Sequence, residues 1–338
     1  MRYQIIFLFL IILPLKALAV ESVSIDELFV SHAVFKNSRY LEDKNGDLSF
    51  EDIKEKTEWE DIGAEFVNFG FTPSVYWFRF TVENSGFKDR SLLLEIDYPM
   101  LDYADLYSPD ESGLYRIIES GDFIPFSKRE INDRKIMYEI ISPKNKAEYF
   151  IRVKTTSSVN FSLKLLTQRA YQESLKQEFP IFWSYYGIMF ALFLFNLIIL
   201  VLTRNISYFY YMFFLGAWIF FQFTLNGFAF QYLWPESPVW GNRSLPLFIS
   251  LVTIGCGMMV RAFMQTKTRY PIADKVAFGA MVIPGMLWSV TSLVVPYQLG
   301  IKGATGIALL GSAVMISLSL ILVLRGSRDA RFFLVSLS

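Results

Sequence analysis

Residues 180–202, PIFWSYYGIMFALFLFNLIILVL, run for 23 positions without a charged side chain. About 20 such residues wound as a helix cross the hydrocarbon core of a bilayer, so this stretch reads as a membrane span and divides the chain. Four more apolar segments follow it: Tyr208–Trp234, Leu245–Met264, Ala277–Val295 and Gly303–Leu324. Upstream, Val20 to Phe179 carries 20 basic and 29 acidic residues, a net charge of −9. From Pro180 onward there are 10 basic and only 3 acidic residues. The balanced total, 32 of each sign in 338 residues, conceals a polar half joined to a membrane half.

The first nineteen residues have a basic start at Arg2, an apolar stretch Ile5–Leu15 and small residues Ala17 and Ala19, which is the pattern of a cleaved signal peptide. The polar half is therefore expected outside the membrane, with residues 20–179 periplasmic or extracellular. The first span then runs inward. The linkers after spans one, three and five, with the span ends beside them, hold Arg204, Arg261, Lys267, Arg269, Lys275, Arg325, Arg328 and Arg331. The opposite linkers hold Arg243 and Lys302. Eight basic residues against two satisfy the positive-inside rule for that orientation and point to a multi-pass membrane protein. Phe332–Ser338 resumes an apolar run and reads as the opening of a sixth span.

Several chemistries are excluded by composition. One cysteine, Cys256, and one histidine, His32, cannot build a Cys/His zinc cluster, a disulfide or a Cys-His dyad within one chain. Cys256 lies in an apolar run and reads as a packing residue. No clustered basic patch is present, so nucleic acid is not an expected partner. No cofactor motif, metal-ligand spacing or catalytic constellation is present in the sequence, and the chain is expected to be enzymatically inert. The acidic turn Asp43–Asp52 superficially suggests a calcium loop, but Leu48 stands where the sixth-position glycine of such a loop belongs, and a turn before a short helix is the better reading.

From Phe71 onward the polar half alternates short β-type runs with turns: Val75–Glu83, Leu92–Tyr98, Ala104–Ser108, Gly113–Glu119, Lys135–Ile141, Glu148–Lys154 and Asn160–Thr167. Seven or eight such strands predict an all-β, jelly-roll-like sandwich over 20–167. The segment Ser22–Ile62 is less regular and is expected to add an edge strand and a short helix. A linker, 168–179, leads into the helical membrane domain, 180–338. In Val75–Val82, period two sends Tyr76, Phe78, Phe80 and Val82 inward and Trp77, Arg79 and Thr81 to the other face. Trp77 beside Arg79 would suit a flat ligand, with Arg129 added as a third candidate; a sheet surface covered by other chain is the competing reading.

The exported half resembles the type-2 extracellular sensor domain of bacterial seven-transmembrane receptors with diverse intracellular signalling modules. The resemblance rests on ordered phrases: Tyr40-Leu-Glu-Asp, Ser74-Val-Tyr-Trp-Phe-Arg-Phe-Thr-Val-Glu-Asn, Tyr98-Pro-Met-Leu-Asp-Tyr-Ala-Asp-Leu-Tyr, Gly121-Asp-Phe-Ile-Pro-Phe-Ser-Lys-Arg and Tyr149-Phe-Ile-Arg-Val-Lys. The membrane half resembles the same family's helical domain through Tyr186–Asn196 and Arg204–Tyr211. The resemblance implies a carbohydrate-binding-like sandwich outside, a helical bundle, and a cytoplasmic output module beyond residue 338. It makes the chain the sensory front of a receptor that binds an extracytoplasmic small molecule, with carbohydrate one candidate class. The alternative is the regulatory part of a diguanylate cyclase or sensor histidine kinase; an envelope adhesion or scaffold protein is disfavoured because anchoring needs one span. Membrane lipid is the other expected partner, and a homodimer is left open. Within the spans, Asn196, Gln222 and Asn226 are polar side chains expected to find partners inside the bundle.

Overall fold

The computed structural model describes residues 22–327 apart from 87, 88, 111, 143 and 144. The signal-peptide reading and the proposed opening of a sixth span lie outside the described residues.

Twelve strands are described in the polar half: β1 (Val23–Ile25), β2 (Ser31–Ala33), β3 (Ser38–Asp43), β4 (Glu60–Asp61), β5 (Phe66–Phe71), β6 (Val75–Asn84), β7 (Arg90–Ile96), β8 (Tyr103–Pro109), β9 (Tyr115–Ile118), β10 (Ile136–Ser142), β11 (Asn145–Lys154) and β12 (Ser158–Leu166). One sheet has the order β4-β3-β6-β11-β8-β9, with β1 parallel to the end of β6. The other has the order β10-β7-β12-β2, with β5 also on β12. From β6 onward the chain crosses repeatedly from sheet to sheet, and the two inner faces close on one apolar core. Tyr76, Phe78, Phe80 and Val82 point into it, as their alternation requires. The segment Ser22–Ile62, expected to add an edge strand and a short helix, supplies β4 and β2 at the ends of the two sheet orders, while β3 is paired on both sides.

The segment before β5 has a second role. Asp43 turns its carboxylate back on the backbone N–H groups of Gly46, Asp47 and Leu48. Ser49 and Asp52 then cap each other's backbone to start the short helix α1 (Phe50–Glu55). That helix lies on the outer face of the first sheet, where Ile53, Val75, Trp77, Tyr107 and Phe150 form a separate small core.

The last strand passes into the helical part without a loop. Thr167 follows β12 directly and its hydroxyl accepts the N–H of Ala170, capping α2 (Gln168–Thr203). Residues 168–179, read from sequence as a linker, are thus the first turns of the helix that becomes the first span. Ala170 and Tyr171 pack on Leu93, Met137 and Leu166 of the second sheet.

The remaining helices are α3 (Ile206–Leu225), α4 (Phe228–Tyr232), α5 (Pro238–Phe263), α6 (Thr266–Arg269), α7 (Pro271–Ala277), α8 (Ile283–Thr291) and α9 (Tyr297–Leu324). α7 runs through a π-helical stretch, Phe278–Val282, into α8. Among the described residues five helical stretches are long and apolar enough to cross a membrane, in the five places predicted. The second differs in extent: the expected Tyr208–Trp234 breaks at Gly227, whose φ is +80°. A side chain there would meet the Arg134 carbonyl oxygen at 2.8 Å and the Pro99 Cβ at 3.0 Å. α3 therefore stops against the sandwich and α4 turns beneath it. α5 is central, packing on α3, α8 and α9. Gly255 permits its approach to α3, since a Cβ there would lie 2.8 Å from the Phe214 Cα.

Candidate functional site

Of the three side chains singled out in the polar half, the structure gathers two on one face and buries one of these. Trp77 is 1 % exposed beneath α1, with Tyr107 at 5.3 Å and Phe50 at 6.4 Å between ring centres. It is part of the outer small core and presents no platform to solvent. Arg79 stays half-buried: its Nε donates to Glu148 Oε1 at 2.6 Å, and its guanidinium lies over the rings of Trp59 and Phe150. The half-buried aromatic beside Arg79 is therefore Trp59. Sequence reading missed it because it sits in the irregular segment before β5.

Arg129 is elsewhere. It is 9 % exposed, follows the short 3-10 turn Phe126–Lys128, and lies over Phe126 and over Phe230 of α4. Its Nη atoms donate to the carbonyls of Gly121, Asp133 and Lys135, so it ties one loop together where sandwich and helices meet.

That boundary also holds a network of largely buried charged side chains. Arg134 Nη2 donates to Glu178 Oε2 of α2 at 2.6 Å, and its Nη1 donates to the carbonyl of Asn226 at the end of α3. The same guanidinium covers Phe182 of α2 and Phe228 of α4. Lys135 Nζ reaches Glu178 Oε1 at 2.9 Å and Glu95 Oε1 at 3.2 Å. Burial pulls the Lys135 ammonium down, but Glu95 and Glu178 together outweigh it and hold the group above its usual range. Tyr171 of α2 donates to Asp133, and the Phe126 N–H donates to the Pro235 carbonyl. Met100 packs with Leu245 and Ile301 to close the apolar side of the joint. Two residues past Glu178, Pro180 lacks the N–H that would bond the Lys176 carbonyl, which weakens α2 at that point.

The polar residues of the spans divide between two places. Tyr186 donates to the Gln222 carbonyl and accepts from Asn226 Nδ2 at 3.0 Å, which brings Gln222 and Asn226 together directly below the Arg134 contact. Asn196 stands apart. It is 8 % exposed, donates to the Leu192 carbonyl of its own helix, and lines a cavity of about 1190 Å³ between α2, α3, α5 and α9.

Glu95 of β7 and Lys135, just before β10, are thus joined through Glu178 to α2.

Comparison with known families agrees with this division. The family described as 7TMR-DISM extracellular 2 matches residues 36–167, and the family described as 7TM diverse intracellular signalling matches residues 178–338. No curated protein matches the chain. Both families are sensory, and neither is catalytic. An antiparallel sandwich followed by apolar helices, with each part matched in the same order, makes the chain a member of the seven-transmembrane receptors with diverse intracellular signalling modules.

Proposed function

We propose that this chain senses a small molecule outside the inner membrane and passes the event through its helices to a cytoplasmic output module. In this reading residues 1–19 are a signal peptide, 20–167 the periplasmic sensor, 168–179 the coupling segment and 180–338 the membrane domain. The observation that carries it is the shared grip of Arg134 and Lys135 on Glu178. A ligand moves a two-state system only by binding the two states unequally, and a strained or relaxed Glu178 contact gives the states different energies. Carbohydrate is the favoured class. A half-buried indole, Trp59, beside the guanidinium of Arg79 and the carboxylate of Glu148 offers one apolar ring face and charged hydrogen-bonding groups of both signs.

The test uses the full chain in lipid nanodiscs against neutral sugars, muropeptides, nucleotides and organic acids. One class is expected to raise Tm, to lose that effect in Trp59→Ala and Arg79→Ala, and to change amide exchange over residues 168–182. Absence of any shift, or binding that leaves 168–182 unchanged, overturns the proposal.

A further inference from the structure

Two carboxyl groups are driven together by a glycine. Gly121 has φ +145°, and a Cβ at that position would lie 2.1 Å from the Asp102 carbonyl oxygen. Without a side chain, the segment 120–123 lies flat on 101–104, with Asp122 N donating to Leu101 O, Phe123 N to Asp102 O and Ala104 N to Ser120 O. Asp102 is then 3 % and Asp122 4 % exposed, side by side at the seam with the helices.

Their hydrogen bonding is unequal. Asp102 accepts three donors: Thr155 Oγ1 at 3.1 Å, Thr156 N at 2.9 Å and Thr156 Oγ1 at 2.7 Å. Burial holds its carboxyl above the ordinary range, while these donors pull the other way and favour the anion. Asp122 has a buried Oδ1 with no partner among the described residues. The groups that act on Asp122 are Asp102, Arg129, the phenols of Tyr98 and Tyr297, and the amide of Asn242 from α5. Arg129 is the one cation among them; its Nη atoms are given to backbone carbonyls, and its buried Nε pairs with neither carboxylate. Asn242 has an amide within hydrogen-bonding reach of Asp122, a buried Oδ1 without a partner, and its Nδ2 turned to the Pro238 carbonyl. An anionic Asp122 would leave unpaired acceptors from both sides of the seam.

We propose that Asp122 is a proton-binding site at the seam between sandwich and helices, holding the single proton of the Asp102–Asp122 pair while the two parts are docked. The proton supplies a donor to acceptors that the unpartnered Arg129 Nε does not reach. Burial first, and the charge of Asp102 second, push the Asp122 carboxyl up to about 8. When the seam opens and water reaches the group, it returns to the ordinary carboxylate range near 3.9. The docked arrangement therefore binds more protons than the open one. Docking is strongest below about pH 4, weakens by about tenfold per pH unit from there to about 8, and no longer depends on pH above that, where both arrangements have lost the proton. The site makes the alkalinity of the outer medium an input that needs no organic ligand, and it stands independently of the small-molecule reading.

The full chain in nanodiscs tests this by amide exchange from about pH 6 to about pH 9, corrected for base catalysis against strand 75–84. Protection of residues 121–123 and 238–245 is expected to fall about tenfold per pH unit from about pH 6 to about pH 8 and to level off above that. Asp122→Asn, neutral and of the same shape, is expected to keep protection flat across the range. Equal pH responses in wild type and Asp122→Asn, or a flat wild type, overturn the proposal. Infrared spectroscopy of the wild type gives a second readout that does not depend on a variant folding. A carboxylic-acid carbonyl band must persist at neutral pH and disappear above about pH 8; absence of that band overturns the assignment by itself.

Discussion

Arg134 Nη2 and Glu178 Oε2 lie 2.6 Å apart across the junction of the two domains, with Arg134 8 % and Glu178 32 % exposed at the side chain. The carboxylate comes from the helix that crosses the membrane and the guanidinium from the loop before β10. Lys135 shares the same carboxylate and also holds Glu95 of β7. One acidic residue thus receives cations from two adjacent positions and is the anionic node through which the sandwich grips α2.

Removing that node leaves two buried cations short of a partner. Breaking a buried pair typically costs about 3–5 kcal/mol. Lys135 keeps Glu95, and Glu178 is partly solvated, so Glu178→Ala is expected to cost about 1–3 kcal/mol. The loss should appear in thermal unfolding of the full chain in detergent. Faster amide exchange confined to residues 168–180 should accompany it, whereas Glu173→Ala, in the exposed pair with Arg169, should leave both readouts unchanged.

Gly227 tests the joint from the other side. Its φ of +80°, and an Arg134 carbonyl oxygen that would lie 2.8 Å from a Cβ added there, leave no room for a methyl group. Gly227→Ala is expected to cost about 1–3 kcal/mol through strain and displacement of the Arg134 loop. Crosslinking yield between cysteines placed at positions 132 and 231, where Gln231 now donates to Asn132, should fall. Unchanged yield would mean that α4 accommodates the methyl without loosening the seam.

The strands could be read from sequence because alternation and turn residues are local. All seven runs predicted from Val75 to Thr167 are strands, and the inward set Tyr76, Phe78, Phe80 and Val82 is core. What covers the outward face could not be read with the same ease. The Ser49–Asp52 capping box marks α1, but nothing local says that α1 folds back over Trp77. The break at Gly227 escaped the hydropathy pattern because its cause is contact with Pro99 and Arg134, more than ninety positions away. The Glu95, Arg134, Lys135 and Glu178 network is invisible for the same reason: its members are ordinary charges until the fold collects them.

Trp77 and Arg79 should now separate in mutagenesis although they are two residues apart on one face. Trp77→Ala empties the small core beneath α1 and is expected to cost about 3–5 kcal/mol. Arg79→Ala removes a half-exposed ion pair with Glu148 and is expected to cost about 0–1 kcal/mol. Denaturant unfolding of the full chain measures both. Similar costs for the two would contradict the burial of Trp77.

Asp105 supplies a pH dependence distinct from that of the seam. Burial first pushes its carboxyl up to about 6, against the pull of Arg152 and with the repulsion of Glu119. Arg152 Nη1 is 3.5 Å from its Oδ2, too long to offset the desolvation. In the unfolded chain the group titrates near 3.9. Between these values the native state binds the extra proton, so this group's contribution to stability is fully present below about pH 4. It is lost as pH rises through about 6. Two pKa units correspond to roughly 2–3 kcal/mol, and partial solvation places the expected effect near the lower end, at about 2 kcal/mol. Asp105→Asn removes the titration while keeping the shape. Unfolding free energies of wild type minus Asp105→Asn, followed from about pH 7 down to about pH 4, should therefore change by that amount in favour of the wild type. A difference that stays flat across this window would mean that Arg152 holds Asp105 ionised throughout and that burial does not govern its protonation.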